Sequence, residues 1–479
     1  MGKTLVKSPL SGVKEQWIKE KKSTFTGISQ DAGATFLNLF PDDSGTLRTH
    51  APFKSAGISS LPGNIRAIRA YGSSLILLNY ESGYYGIYVL KQGTVTKTGT
   101  TVSTYHYDSD GSEFCSQLIL CDEQSAELDE GCTHTKLVFF PAKMYCCLGS
   151  DGVPSSYGYL PDAIPSFRFA TLSKGRLYGI AGQKIYVSGE GGMLDWTFDE
   201  EDCEKPDSRH AWVGRTLTST EAQLPITALV SYKNEVLIFR ENAMQSVVGA
   251  ENPYTVKDLF KVGTSYGKSV KEVDGKLYFI SKNRVFCYNG STVVKLPAPE
   301  KDVFLTGAAG VLDGKYCFYG EAGGKKKVYT YDADSKSYAC VTVSKAVREF
   351  ALCNDVLYAL VGEKGEADAL YCLSADRSAV CFEARFPLMS DRFLSASLYS
   401  TVLRATLHGA CTMRVCAKAC HGSGATNTYT LGTFSGGAGE VTYRLQKRLP
   451  SAEEWTLIVE GRGDMTFRGY ECSCRAKIR

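Results

Sequence analysis

Apolar and polar positions along this chain fall into one short pattern that recurs about every 40 residues. Its clearest copy is Asp274-Gly275-Lys276-Leu277-Tyr278-Phe279-Ile280, followed by Arg284-Val285-Phe286-Cys287-Tyr288-Asn289-Gly290. A turn dipeptide opens an apolar run, a short polar connector follows, and a second apolar run ends at another turn. This predicts a pair of strands joined by a tight loop. Asp313-Gly314-Lys315-Tyr316-Cys317-Phe318 with Lys327-Val328-Tyr329-Thr330-Tyr331 repeats it, as does Asn354-Asp355-Val356-Leu357-Tyr358 with Ala369-Leu370-Tyr371-Cys372. Upstream copies stand at Lys174-Gly175-Arg176-Leu177-Tyr178 and Lys233-Asn234-Glu235-Val236-Leu237, with weaker ones near Leu75 and Leu137. The first apolar strand residue falls at 75, 137, 177, 236, 277, 316 and 357. Four of the steps are close to one repeat, and the two long ones, 62 and 59 residues, read as a repeat plus an insertion.

Short strands at a period of 40 to 45 residues are the signature of a β-propeller blade, which buries its two faces only by packing radially against neighbours. The expected fold is all-β: a six- or seven-bladed β-propeller over 55–385, with a C-terminal antiparallel β-sandwich-like module over 386–479. Residues 1–54 read as an N-terminal arm and lead-in segment outside the blades. The charged stretch 13–21, with Trp17 and Ile18, is open between a helix and an arm. Insertions are expected near 100–133 and 189–223, where they would meet neighbouring subunits. The second carries Trp196 and Trp212, residue types enriched at interface hot spots, although packing onto the propeller is their commoner fate.

Composition adds little to this and removes several function classes. The 479 residues include 28 Tyr, 22 Phe and 47 Gly, which supply strands and turns. No apolar run approaches a membrane span, and the first residues lack the apolar core of a secretory signal. With 54 basic and 51 acidic residues the net charge is +3, too balanced for nucleic-acid binding by the whole chain. The region from Phe386 onward is more basic, with 12 Lys plus Arg against 7 Asp plus Glu. Arg404, Arg414, Lys418, Arg444, Lys447 and Arg448 are candidates there for a partner-facing or DNA-facing surface; a solvated strand surface is the plainer reading.

Seventeen cysteines at irregular spacings, an odd number in a long chain, read as reduced and mostly buried. Cys416 and Cys420, with His408, Cys411, His421, Cys472 and Cys474 nearby, hold one zinc-type spacing but no second matched pair. No cofactor or metal is expected. Gly263-Thr264-Ser265-Tyr266-Gly267-Lys268-Ser269 is one residue short of a phosphate-binding loop and lies between strands. Acidic runs at 127–130 and 199–202 read as charged loops, Arg462-Gly463-Asp464 reads as a charged turn, and no catalytic signature is present.

Three stretches carry a resemblance to a family. They are Ala34-Thr35-Phe36-Leu37-Asn38 with Gly45-Thr46-Leu47-Arg48; Ile185-Tyr186-Val187-Ser188-Gly189 with Leu194-Asp195-Trp196; and the run from Val236 to Gly249 continuing through Val262-Gly263-Thr264 and Lys268-Ser269-Val270. In these the chain resembles the β-propeller proteins of tailed bacteriophages that complete the head or form the tail hub, the nozzle and packaged-DNA stabilisation proteins. In the first stretch His50 stands where the family has Arg, and Pro52-Phe53 replaces its Gly-aromatic pair. The resemblance implies a non-enzymatic virion protein at the head–tail junction, assembled in the host cytoplasm. It implies a ring of six copies on the portal–adaptor complex, beside other tail proteins, that retains packaged DNA. A carbohydrate-binding or glycan-cleaving propeller and a cellular interaction scaffold are the other uses of such a fold, because a fold does not fix function.

Overall fold

The computed structural model describes residues 15–22, 35–41, 46–81, 84–103, 117–124, 133–140, 144–148, 154–161, 164–165, 167–189, 194–198, 210–216, 224–249, 254–300, 302–333, 337–363, 366–373, 377–378, 380–390, 394–422, 424–437 and 439–478. For 15–22, 117–124, 133–140, 144–148 and 154–159 it describes the backbone alone. The described chain is all-β, with a single 3₁₀ turn at Gly267–Ser269. No helix among these residues is long and apolar enough to cross a membrane.

Every repeat position read from the spacing sits on the second strand of its repeat: Leu75 on Ser74–Glu81, Leu177 on Arg176–Ala181, Leu277 on Lys276–Ser281 and Leu357 on Val356–Val361, with the others alike. The hairpin turn before that strand explains the dipeptides. Asp274 and Gly275 have φ of 49° and 66°, Lys233 and Asn234 have 45° and 67°, and Asn354 and Asp355 have 49° and 59°. Two successive left-handed residues make the turn whose twist matches a hairpin, and Gly, Asn and Asp adopt it most cheaply.

Five blades are self-contained four-stranded antiparallel meanders, over 65–103, 117–159, 169–215, 226–260 and 271–295. The spacing had predicted six or seven. The sixth and seventh repeats are composite instead. The sixth, 304–342, is fused through Thr35–Leu37 to the C-terminal strands in one 14-stranded sheet. The seventh has three strands of its own, Val347–Cys353, Val356–Val361 and Ala369–Leu373, and takes its fourth from the N-terminal segment, Phe53–Ser55. The innermost strands touch in cyclic order, and Val347–Cys353 returns to Ile65–Tyr71. Thr35–Leu37 and Phe53–Ser55 therefore do not stand outside the blades. They supply strands that the repeats lack.

The second strands whose side chains are described are buried on both faces, so they read as nearly continuous apolar runs instead of alternating ones. Leu277 and Phe279 pack with Leu237 and Phe239 of the preceding blade. Tyr278 and Ile280 pack with Tyr316, Phe318 and Tyr331 of the next repeat. Ring pairs mark these seams: Phe239 and Phe279 lie 5.3 Å apart edge-on, and Tyr278 stacks on Tyr316 at 5.3 Å. Buried phenols are satisfied across blades, as where Tyr316 donates to the Ser269 carbonyl at 2.8 Å.

Several expectations are corrected. The stretch 13–21 is neither helix nor free arm: Glu15–Lys22 is a strand paired antiparallel with the end of Glu454–Ile478. The first presumed insertion contains the inner strand of the second blade, Gln117–Gln124, and the second contains the outer strand of the third, Trp212–Arg215. Arg462-Gly463-Asp464 is no turn but part of strand Glu454–Ile478. The strand is irregular there, at the register shift between His408 and Thr412 on its partner. Gly463 has φ of 116°, and a Cβ there would stand 2.6 Å from the Cys411 Cα. The C-terminal module is antiparallel as expected. Position 385 is not a break in hydrogen bonding, since Cys381–Ser390 joins Thr35–Leu37 on one side and Glu454–Ile478 on the other. The acidic runs 127–130 and 199–202 lie outside the described residues.

Candidate functional site

The candidate interface residues fall into two environments. Trp196 and Trp212 are 5% and 8% exposed. Trp196 packs on Phe167 at 5.7 Å, and Trp212 meets Tyr254 edge-on at 5.4 Å. Both are core residues of the third blade, which removes them from any exposed partner surface. The six basic residues lie on the C-terminal strands. Arg404 and Arg444 share one face of adjacent strands, because Val402 is opposite Arg444 and Arg404 is opposite Thr442. Arg414 donates from Nε to Glu460 at 2.6 Å, Lys447 donates to the Thr430 carbonyl at 2.9 Å, and Arg448 covers the Tyr399 ring at 5.3 Å. Lys418 is half-buried opposite Thr428 and Thr456. Acidic residues interleave: Glu471 lies opposite Val402, and Glu440 pairs with Arg468 at 3.0 Å. The surface is mixed in sign.

Three cysteines of this module serve packing. Cys411, Cys416 and Cys472 are 1 to 2% exposed on the core side, and burial raises the Cys411 thiol to about 11. His408 hydrogen-bonds Thr466 at 3.1 Å on the exposed side. No group of three His, Cys, Asp or Glu that could hold a metal occurs among the described residues.

The concentration of charge lies elsewhere, on the propeller axis. A cavity of about 920 Å³ opens where the inner strands face one another. Among the described residues six basic side chains line it, Arg66, Arg69, Arg168, Lys268, Lys271 and Arg348, against two acidic ones, Glu241 and Glu349. Their positions follow the repeat. Six residues before the first residue of each inner hairpin turn stand Arg66, Arg168, Thr227, Lys268, Gly307 and Arg348. Three residues before the same turns stand Arg69 and Lys271. Arg66 and Arg69 share the strand Ile65–Tyr71 and, at about 3.3 Å per residue, stand about 10 Å apart along it, whereas Lys268 lies on the 3₁₀ turn that precedes the strand carrying Lys271.

Lys268 pairs with Glu349 at 2.9 Å. Arg348 pairs with Asp368 at 2.6 Å and donates to the Ile65 carbonyl at 3.1 Å, tying the seventh repeat to the first blade. Arg66 lies over the Tyr80 ring and Arg168 over Phe169. Lys271 has its ammonium held below the ordinary lysine range, first by desolvation within the channel; Glu349 opposes this, and Arg69 and Lys268 add to it.

The glycine loop discounted as a phosphate site forms part of this wall. Thr264 Oγ1 accepts from the Tyr266 N–H at 2.9 Å and donates to the Ile280 carbonyl at 2.5 Å. Ser269 Oγ accepts from the Ile280 N–H at 3.0 Å and donates to Tyr266 O at 2.6 Å. A Cβ on Gly267 would meet the Thr227 carbonyl at 2.0 Å, so glycine there is what lets the linker lie against the inner strand and carry Lys268 to the axis. The channel charge was not found from sequence. Aligning the repeats on their turn dipeptides would have exposed it.

No protein-family model matches the chain, and no curated protein matches it. Solved structures do. PorZ, a surface component of the type-IX secretion system of Porphyromonas gingivalis, is 12% identical with a TM-score of 0.42, over 85% of this chain and 57% of that one. Chaetomium thermophilum Raptor is 11% identical with a TM-score of 0.43, over 68% of this chain and 29% of that one. The β-propeller domain of Myceliophteria thermophila Cps50 is 7% identical with a TM-score of 0.43, over 67% of this chain and all of that one. The extracellular domains of Bacteroides thetaiotaomicron BT4673 also match, and this chain spans less than half of their length. The described residues thus form an all-β chain with a propeller arrangement of blades and a C-terminal sheet, and similarity this low says nothing of activity.

Proposed function

We propose that the chain is a non-enzymatic structural propeller that assembles into a ring, of the kind that completes the head or forms the tail hub of a tailed bacteriophage. The composite repeats would complete the ring of blades within each subunit. The observation that carries this reading is the fusion of propeller and C-terminal sheet. Two strands of 27 and 25 residues, Leu394–Cys420 and Glu454–Ile478, pair along most of their length and continue the sheet of the sixth repeat. Both are far longer than the usual strand of about five to six residues, with register shifts along them. They give the subunit an extended sheet whose outer face, with Arg404, Arg414, Arg444 and Arg448, is solvated and mixed in charge. Such a sheet suits docking to a neighbour in a closed ring, where one surface of each subunit meets a different surface of the next. Glycan cleavage gains no support from the axis, where Glu349 is already paired with Lys268.

Native mass spectrometry of the purified chain, alone and mixed with a portal–adaptor complex, tests the proposal. A discrete ring on the adaptor is the expected result. A monomer that binds no portal–adaptor complex would sink it.

A further inference from the structure

We infer that the axial cavity is a binding site for a compact polyphosphate group, such as a triphosphate or short-chain polyphosphate. The repeat places basic residues at equivalent positions around one cavity, Arg66, Arg168, Lys268 and Arg348 six residues before their turns and Arg69 with Lys271 three before theirs. Like charges brought together inside a protein repel unless a counter-charge joins them. Glu349 and Asp368 compensate Lys268 and Arg348. Arg69 and Lys271 make no ion pair among the described residues, and Glu241 is the remaining acidic lining group. The cavity, about 920 Å³, lies in the size range of small-molecule sites. Four of the six cations are arginines, whose planar forks suit tetrahedral and planar oxyanions. Arg66 and Arg69, about 10 Å apart along one inner strand, fit an extended chain of anionic groups better than a single ion. The depressed Lys271 ammonium is consistent with a site that gains when an anion enters. This inference does not depend on ring assembly.

Isothermal titration of the full-length protein with sodium tripolyphosphate, with citrate and orthophosphate as separate arms, tests it. One tripolyphosphate per chain is expected, weakened by salt, with orthophosphate bound at least about tenfold more weakly. The paired change Arg69→Gln and Lys271→Gln should weaken tripolyphosphate by at least about tenfold, with an unchanged far-ultraviolet spectrum. No saturable binding, binding unaffected by the pair, or citrate bound as tightly as tripolyphosphate would each overturn it. Should the pair fail to fold, amine labelling of the native protein decides. Protection of Lys271 by tripolyphosphate supports the site, and unchanged labelling rejects it.

Discussion

Arg240 and Gln183 meet across a blade boundary, the Arg240 Nη2 donating to Gln183 Oε1 at 3.2 Å from 57 residues away. Arg240 is fully buried. It also donates to the Leu224 carbonyl at 2.8 Å, to Gln245 Oε1 at 3.1 Å and to Thr216 Oγ1 at 3.2 Å, and Gln245 passes the contact on to Asp258 at 2.8 Å. The third and fourth blades are thus held by a polar knot as well as by apolar packing. Arg240→Met should cost about 2–4 kcal/mol, because it removes four hydrogen bonds and leaves the buried Gln245 Oε1 without its donor. Urea unfolding measures this. A change below about 0.5 kcal/mol would show that solvent satisfies those acceptors.

Gly267→Ala should be destabilising out of proportion to one methyl group. Its Cβ would face a main-chain carbonyl, that of Thr227, at 2.0 Å, so backbone must move. About 1–3 kcal/mol is expected, read from the thermal midpoint. Gly93→Ala tests the other glycine requirement: it has φ of 80° and open space, so strain alone should cost about 1 kcal/mol.

Phe53 is 2% exposed, contacts Phe350 at 6.2 Å and sits on the strand that completes the seventh repeat. Phe53→Ala should cost about 3–5 kcal/mol. Hydrogen exchange should show the loss first in Ala369–Leu373, which pairs with that strand. Unchanged protection there would contradict the strand's role in closure.

His50 stacks on Phe40 at 4.6 Å and has its imidazole lowered to about 4, chiefly by burial and then by Arg377. The folded state therefore prefers neutral His50. Its stability is intact above the unfolded value of about 6.5 and falls as pH drops from there toward 4, by up to about 3 kcal/mol. Histidine titration by nuclear magnetic resonance should place His50 below pH 5, and His50→Gln should flatten that part of the stability profile. A normal midpoint near 6.5 would refute this.

Lys268 and Glu349 are 37% and 17% exposed, so screening limits their pair at 2.9 Å. A double-mutant cycle with Lys268→Met and Glu349→Gln should give a coupling of about 0.5–1 kcal/mol that shrinks with salt. A coupling insensitive to salt would indicate a drier axis than this geometry gives.

The repeat was legible because each second strand is buried on both faces and follows a turn that needs left-handed residues. Leu277 to Ile280 after Asp274-Gly275 carries both signals. The composite repeats were not legible. Thr35–Leu37 and Phe53–Ser55 are three residues each, too short for alternation to register, and their partners stand hundreds of residues away. Trp212 looked like part of an insertion because a strand of four residues after a long polar stretch has no pattern of its own. Glu15–Lys22 carries charges at most positions, so nothing in it signalled a strand paired with the C-terminal one.

Local sequence determined what depends on neighbours a few residues away: the turns, the strand pairs and the period that makes blades. Tertiary structure decided what depends on distant chain meeting distant chain. It joined the sixth repeat to the C-terminal sheet, completed the seventh from the N-terminal segment, and gathered Arg66, Arg168, Lys268 and Arg348 around one axial cavity. Each of those cations looks like an ordinary surface charge within its own repeat. Only the radial packing of blades, forced by two buried faces per sheet, points them at one another.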